Sequence, residues 1–378
     1  MSLRITYDYQ VFSWQKYGGI SRYYFEIANR IAMEGNEVGI FAPIFVNEYF
    51  HNKCNVHPKG IRIPRLPRGT RSIVKAVNLS LSCLLIKPRR NVDIFHETYY
   101  SSIDCCPHSA KRVITIHDMI HEKFPEMFFK RDKTRQQKAH AVQRADHVIC
   151  VSENTRKDLI EILSVPEEKT SVIYHGYSLA TNHNTAEPMK VDKPYILYVG
   201  AREGYKNFAG LLKAYARSQL LRKEFSLVCF GGGDFGASEM VMMRSLGIDK
   251  RSIIHLSGND NRLSGLYAAA TVFVFPSLYE GFGIPPLEAM SFGCPVVCSR
   301  TSSLPEVVGD AAELFDPEDD EEMCTAIEKI VSSTEKAKIL TECGHKRIAQ
   351  FSWDKCAKDT LNVYRKILHD SETREPAD

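Results

Sequence analysis

TVFVFPSLYEGFGIPPLEAMSFGCPVVC, Thr271 to Cys298, is the stretch that decides the fold. Val272 to Phe275 is an uninterrupted apolar run and predicts a buried strand. Ser277–Gly283 is a loop holding two glycines and one carboxylate, Glu280. Pro285 and Pro286 pre-set the backbone for the first turn of a helix, which carries Glu288 near its start and stops at Gly293, a residue suited to the left-handed position just past a helix. A second apolar strand, Pro295 to Cys298, follows. Strand, loop, helix, strand is the unit of a parallel sheet covered by helices.

Such a turn collects unpaired backbone N–H groups and the positive end of a helix, which together favour a phosphate. Gly281 and Gly283 place no Cβ between the main chain and a ligand. Glu280 and Glu288 are eight residues apart, one on the loop and one on the helix, so both can address one bound molecule from opposite ends. Carboxylates accept hydrogen bonds from sugar hydroxyls, including a ribose diol. The plainer reading makes Glu280 a solvated loop residue and Glu288 a complement to the helix dipole.

Outward from this stretch, strand-like and helix-like runs alternate along all 378 residues, a length that suits two α/β domains. Hydrophobic content of 44% and charged content of 25% describe an ordinary globular protein, and a net charge of +3 argues for no particular partner. Eleven cysteines follow no disulfide or metal spacing, which points to reduced thiols in a cytoplasmic setting. The amino terminus enters a strand at Arg4 with no signal peptide, and no apolar run reaches the roughly 18 residues of a membrane span.

The first unit predicts a strand Leu3–Tyr9 and a helix Ser21–Ala32, with Gly18-Gly19 between them. A glycine pair after a first strand is where an α/β sheet admits a phosphate-bearing ligand, or else a simple tight turn. From Tyr49 to Val92 there is no acidic residue, while cations recur from Lys53 to Arg90. Ile73, Val77, Leu81 and Leu84 recur at helical spacing within it. Segment 53–90 therefore reads as a basic, amphipathic surface for an anionic membrane; the alternative is a helix packed on its own domain. Nucleic acid is not expected as a partner, because no binding fold is recognisable. Strands Val92–His96 and Arg112–His117 end in His96-Glu97-Thr98-Tyr99-Tyr100 and His117-Asp118. Carboxyl ends of such strands are where sites form, and Asp118 is read as orienting the His117 ring. Leu179–Lys193 is polar and aperiodic and reads as a linker, with a second domain over 194–351 and a polar tail from Ser371. Gly231-x-Gly233-x-x-Gly236 matches a dinucleotide fingerprint in letters but follows a middle strand, and is read as a tight turn. Asp260, in the loop Gly258–Arg262, is either an acceptor for a nucleobase edge or a solvated loop residue.

The run E-G-F-G-I-P-P-L-E-A-M-S-F-G-C-P-V-V resembles the E-x7-E signature of retaining family 4 glycosyltransferases of the GT-B fold, and the resemblance extends over nearly the whole chain. It implies two Rossmann-like α/β domains facing across a cleft, an amino-terminal acceptor domain (1–180), a nucleotide-sugar domain, and a last helix, 352–370, crossing back. It implies that Glu288 binds the ribose diol, and that Glu280 with the N–H groups of Gly281, Phe282 and Gly283 holds the sugar. Gly18 and Gly19 would lie near the diphosphate, and His117 would contact the transferred sugar. Lys206 keeps the family's spacing from Gly200, whereas Arg202 stands one residue beyond the usual arginine. Positioned cations stabilise a departing diphosphate and take the place of a metal in this family; no D-x-D motif occurs, so no metal or other cofactor is expected. Tyr99, Tyr100 and Glu122 are acceptor-side candidates. His175 stands where the family has a small polar residue, and its role is open. Y-G-G-I-S-R-Y near the start resembles bacterial O-antigen and exopolysaccharide mannosyltransferases, implying a GDP-mannose-like donor and a lipid-linked saccharide acceptor at the inner membrane face. A UDP-sugar enzyme of the same fold is the first alternative. A dinucleotide oxidoreductase using Gly231–Gly236, or a sugar-binding protein without activity, are the others.

Overall fold

The computed structural model describes residues 2–50, 54–67, 69–178, 191, 193–202 and 204–372, side chains being described to 370. Apolar runs bounded by glycine and polar turns become short strands, and the central ones are buried on both faces as parallel sheets require, whereas the edge strand Pro58–Arg62 is largely exposed. In the first sheet these are β1 (Arg4–Tyr7), β2 (Glu37–Phe45), β3 (Pro58–Arg62), β4 (Ile94–Glu97), β5 (Lys111–Ile116), β6 (His147–Cys150) and β7 (Thr170–Val172), in the order β3-β2-β1-β4-β5-β6-β7. The second contains β8 (Tyr195–Val199), β9 (Ser226–Phe230), β10 (Ile253–Leu256), β11 (Val272–Phe275), β12 (Val296–Ser299) and β13 (Ala312–Phe315), in the order β10-β9-β8-β11-β12-β13. Every pairing is parallel. The strand order reverses between β1 and β4 in one sheet and between β8 and β11 in the other, and crevices open at the carboxyl ends of such pairs.

The chain divides into two compact units, Met1–His175 with Trp353–Asp378, and Gly176–Ser352. In the second, β11 is wholly buried in register with β12, and Val272 and Val274 pack with Tyr198, Leu211 and Tyr215 under the helix Phe208–Arg217. In the first, the helix Trp353–Glu372 lies against the helix Gly19–Met33. Tyr364 brings its hydroxyl 2.5 Å from His96 Nδ1 and 3.1 Å from the Tyr7 hydroxyl, and Arg30 Nε donates to Asp354 at 2.6 Å. That unit is therefore completed by residues from both chain ends.

Two sequence expectations change, and a third falls largely outside the described residues. The last helix runs through Glu372, past the tail expected from Ser371. The linker read over Leu179–Lys193 lies outside the described residues, except 191 and 193, as do Lys53 and Arg68 of the basic segment and residues 373–378. A short helix, Gln10–Trp14, stands between β1 and Gly18, so the glycine pair opens the helix Gly19–Met33 and does not terminate the strand. Gly18 has an extended backbone, and its carbonyl accepts from Arg22 N at 2.9 Å.

The helix expected at Ile73–Ile86 forms as Arg71–Leu85, with its faces reversed from those of a packed helix. Asn78 and Ser82 are buried, and Asn78 pairs with both backbone groups of Ile44 at 2.8 and 2.9 Å. Ile73 and Leu84, by contrast, are 64% and 69% exposed. No helix among the described residues is long and apolar enough to cross a membrane.

Candidate functional site

In the second unit the loops following β8 and β11 meet at the reversal point. The first carries the turn Gly204–Lys206, and the second carries Glu280. Lys206 Nζ donates to Glu280 Oε1 at 2.7 Å, lying over the rings of Tyr205 (5.1 Å) and Phe275 (5.5 Å). Leu278 N reaches Tyr205 O at 2.7 Å, tying the two loops by main chain as well. Asn207 follows in the left-handed region at φ +53°, which asparagine tolerates, and caps the next helix by accepting from Gly210 N at 3.2 Å. Lys206 is thus held between a tight turn and a capped helix.

Three consecutive hydroxyls after β12 fix the Glu280 loop. Thr301 Oγ1 donates to Leu278 O at 3.0 Å; Ser302 Oγ accepts from Glu280 N at 2.9 Å; Ser303 Oγ is shared between the carbonyls of Glu280 (2.9 Å) and Phe282 (3.0 Å). Ser302 adopts φ +53°, an uncommon value for serine that sets its hydroxyl under Glu280. By resemblance to the family, the run Thr301–Gly309 is expected near the base of the donor pocket; the bracing of the Glu280 loop by its three hydroxyls is visible only in the structure.

Gly283 has φ +92°, and a Cβ there would lie 2.7 Å from Leu304 Cδ2, so glycine is required by the turn and by packing together. The Phe282 ring packs against Phe351 at 5.8 Å and is 4% exposed, leaving its backbone as the part that can serve a ligand. Gly281 is buried in the same loop. Glu288 lies in the helix Ile284–Ser291, buried, with the Tyr267 hydroxyl 3.5 Å from Oε2. Asp260 is not in a loop. It is the first residue of the helix Asp260–Ala269, capped by Asn259, and suits the helix dipole there.

Arg202 departs from the diphosphate role. Nε donates to Glu239 Oε1 at 2.6 Å, Nη1 to Gly231 O at 2.8 Å, and Nη2 to the carbonyls of Gly233 and Asp234 at 2.8 and 3.0 Å. Its guanidinium lies over Phe235 at 4.7 Å. The arginine therefore braces the turn Gly231–Asp234, where three successive glycines take φ of +89°, +72° and +74°. Standing one residue beyond the family position, this side chain has its donors engaged by Glu239 and the turn carbonyls. The same geometry rules against the dinucleotide reading. The turn follows β9, away from the reversal point, its carbonyls face a cation, and Glu239 accepts from Gly236 N at 2.6 Å where a pyrophosphate would need that donor.

In the first unit His117 follows β5. It is nearly buried, edge-on to Tyr23 (5.2 Å) and stacked on His175 (5.7 Å), and Nε2 has no hydrogen-bond partner among the described residues. Burial, with His96 and Lys138 nearby, holds its imidazole neutral by pushing the pKa down to about 3. His175 is lowered well below the ordinary value by burial and by His117. Asp118 does not orient the ring: Oδ1 accepts from Ile120 N at 3.1 Å and lies 3.7 Å from Lys138 Nζ. Glu122 is not open to an acceptor. Its carboxylate pairs with Lys138 at 2.7 Å and both side chains are fully buried. Tyr100 contacts His117 through its hydroxyl, 3.5 Å from the backbone N, and stacks at 4.5 Å on the half-buried Tyr99. Gly19 is exposed, with nothing within 4 Å of where a Cβ would stand. Among the described residues no three His, Cys, Asp or Glu side chains are gathered as for a metal ion.

Comparison with known proteins gives the family and the fold. The family description "Glycosyl transferases group 1" matches residues 181–347 and "Glycosyltransferase Family 4" matches residues 17–181. The chain is 30% identical to O-antigen chain mannosyltransferase B of Escherichia coli over 92% of its own length and 96% of that protein. Among solved structures it resembles sucrose-phosphate synthase of Thermosynechococcus elongatus, at 20% identity and TM-score 0.77, covering 97% of this chain and all of that one. It also resembles WaaG, a glycosyltransferase of lipopolysaccharide biosynthesis, at 17% identity and TM-score 0.70, covering 95% and 99%. With two parallel-sheet α/β units of GT-B architecture, a Glu280–Lys206 pair on the loops of the second sheet and matches to both halves, the chain belongs to the group 1, family 4 glycosyltransferases.

Proposed function

We propose that this glycosyltransferase moves a mannose-like hexose from a GDP-sugar to a lipid-linked saccharide, with retention of anomeric configuration and without a metal, in building a cell-surface polysaccharide. The observation that carries the reading is the Glu280–Lys206 pair, seated on two loops at the reversal point of the second sheet and followed by Glu288 on the next helix. Lys206 meets the diphosphate and stabilises the charge that grows as the bond from sugar C1 to the phosphate oxygen breaks. As it does so, Glu280 is released to accept from sugar hydroxyls, its loop held by the 301–303 hydroxyls. Glu288, positioned by Tyr267, takes the ribose diol. His117, neutral and with Nε2 without a partner among the described residues, is the first unit's candidate for a hydrogen bond to a saccharide and brings no positive charge. The acceptor hydroxyl forms the new bond to C1 while its proton passes to the departing phosphate oxygen. Mannose is favoured because the curated relative cited above is named a mannosyltransferase.

The reversed helix Arg71–Leu85 supports attachment to a membrane face. Ile73, Val77 and Leu84 fall within about 40° of one another at ~100° per residue and are all exposed. An outward apolar stripe amid an acid-free basic segment suits an anionic bilayer surface. Replacing Ile73 and Leu84 by Glu removes sedimentation with anionic vesicles if this is right.

Calorimetric titration with GDP, UDP and NAD, each with and without EDTA, tests the site. Saturable GDP binding indifferent to EDTA and lost in Glu288→Ala is expected. UDP binding in its place keeps the reaction and changes the donor, while NAD binding alone refutes the proposal.

A further inference from the structure

The first unit contains a concavity around the acceptor-side candidates Tyr99 and Tyr100. Trp14, Tyr99 and Tyr100 form one wall of a pocket of about 230 Å³, and Arg71 and Lys75 form the other. An adjoining depression of about 470 Å³ shares Trp14, Leu66 and Arg71 with it, so the two make one continuous trough.

Its chemistry is divided. Trp14 is 44% exposed, set edge-on to Tyr99 at 5.3 Å, and Tyr99 rests on Tyr100 at 4.5 Å. Gln10 locks this wall by donating from Nε2 to Asp8 Oδ2 at 2.8 Å and to Tyr99 O at 2.7 Å. An exposed, braced indole beside a phenol is a platform for a sugar face. The other wall is cationic. Arg71 and Lys75 are one helical turn apart, and among the described residues neither has a hydrogen-bond or ion-pair partner. Their segment, Tyr49 to Val92, contains no acidic residue to neutralise them. On the helix they share the side of Asn78 and Ser82, within about 60° at ~100° per residue, opposite the apolar stripe of Ile73, Val77 and Leu84. The helix therefore presents its apolar stripe on one side and, on the other, two cations that are themselves exposed and line the trough beside the aromatic platform.

We infer that this trough is the seat of an acceptor bearing a phosphate ester: a saccharide ring lies on Trp14 and Tyr99 while the phosphate joined to it is held by Arg71 and Lys75. The inference rests on the proposed transferase reading and deepens it, since the charge requirement specifies a glycosyl phosphate or diphosphate over a neutral glycan. The apolar stripe on the reverse of the same helix places the phosphate end of an amphiphile beside the surface into which its tail would insert.

The test uses the full chain and the fluorescence of Trp14, since Trp353 is the other tryptophan and is 3% exposed. Titration with α-mannose 1-phosphate should quench emission saturably, and the response should vanish in Trp14→Phe. Inorganic phosphate and methyl α-mannoside should each bind at least about tenfold more weakly, because each engages one wall. Arg71→Ala and Lys75→Ala should each weaken mannose 1-phosphate binding by about tenfold or more. Equal binding of the neutral glycoside, or no loss in either variant, overturns the inference. So does an identical quench by phosphatidylglycerol vesicles that disappears in the same variants, which assigns the cations to a headgroup surface. Nucleotide binding, measured in parallel, must be unchanged in both variants. If nucleotide fails to bind the unaltered chain, the donor reading falls while the trough result stands on its own.

Discussion

Lys206→Met separates the chemical role of the lysine from its structural one. The Lys206–Glu280 contact is 2.7 Å, with 19% of the lysine side chain and 11% of the glutamate side chain exposed. Removing one partner of a fully buried pair costs about 3–5 kcal/mol; the residual exposure here lets water reach the carboxylate and brings the expected loss to about 1–3 kcal/mol. The catalytic loss should be larger. One positioned donor on developing charge is worth about 2.7–4 kcal/mol, or roughly a hundred- to thousandfold in kcat, while a charge-assisted contact in the bound ground state is worth about 1.5–3 kcal/mol. Steady-state kinetics with thermal unfolding should therefore show kcat falling about 10²–10³-fold with a modest drop in Tm. The double variant Lys206→Met with Glu280→Gln removes both charges, and should regain most of the Tm but none of the rate. Retention of kcat within about threefold in Lys206→Met would refute the assignment. A rate restored together with the Tm in the double variant would show that the pair only holds the loops.

Three further outcomes follow. Arg202→Met should lower stability by about 3 kcal/mol, since Glu239 and the Gly231–Asp234 carbonyls lose their donor, with nucleotide affinity kept within about threefold; lost affinity at unchanged Tm would return Arg202 to the site. Ser303→Ala should cost about 1–2 kcal/mol and slow turnover, because the carbonyls of Glu280 and Phe282 lose a common donor; unaltered kinetics would detach the 301–303 hydroxyls from function. Acid should destabilise the first unit. His96 and His117 are held near 3 and His175 well below its ordinary value, all by burial, so the folded form binds fewer protons than the unfolded form and stability is lost as pH falls below about 6.5, at ~1.4 kcal/mol per unit per histidine. Glu97, pushed up to about 7 by burial despite Arg144 and Arg112, has the opposite sign between about 7 and 4.5, as does Asp8, raised by burial, while His147, lowered by burial to about 4, adds to the loss; the histidines outnumber the carboxyls and the net effect of acid is destabilising. Chemical denaturation across pH reads the slope, and a flat profile from pH 7 to 5 would contradict neutral buried imidazoles.

The sequence by itself determined the layered architecture and the principal loop of the site. Period and punctuation are local properties: Val272–Phe275, the helix-opening prolines and Gly293 act within a few residues of themselves, and the structure forms strand, loop, helix and strand where they indicate. Resemblance to the family singled out Lys206 and Glu280, and the structure sets them 2.7 Å apart, since strand order fixes which loop ends are neighbours. Tertiary structure decided what each side chain faces. Arg202, one residue from the expected position, joins Glu239 and a glycine turn; Glu122 is enclosed with Lys138; Asp118 turns from His117 to Ile120 N; Asp260 opens a helix. The helix Arg71–Leu85 was legible as amphipathic, but not which face lies inward, because periodicity specifies a stripe and only Asn78's pairing with Ile44 specifies its direction. Partners distant in sequence, such as the hydroxyls at 301–303 beneath Glu280 or Tyr364 against His96, leave no local trace, since their energy arises only when the chain has brought them together.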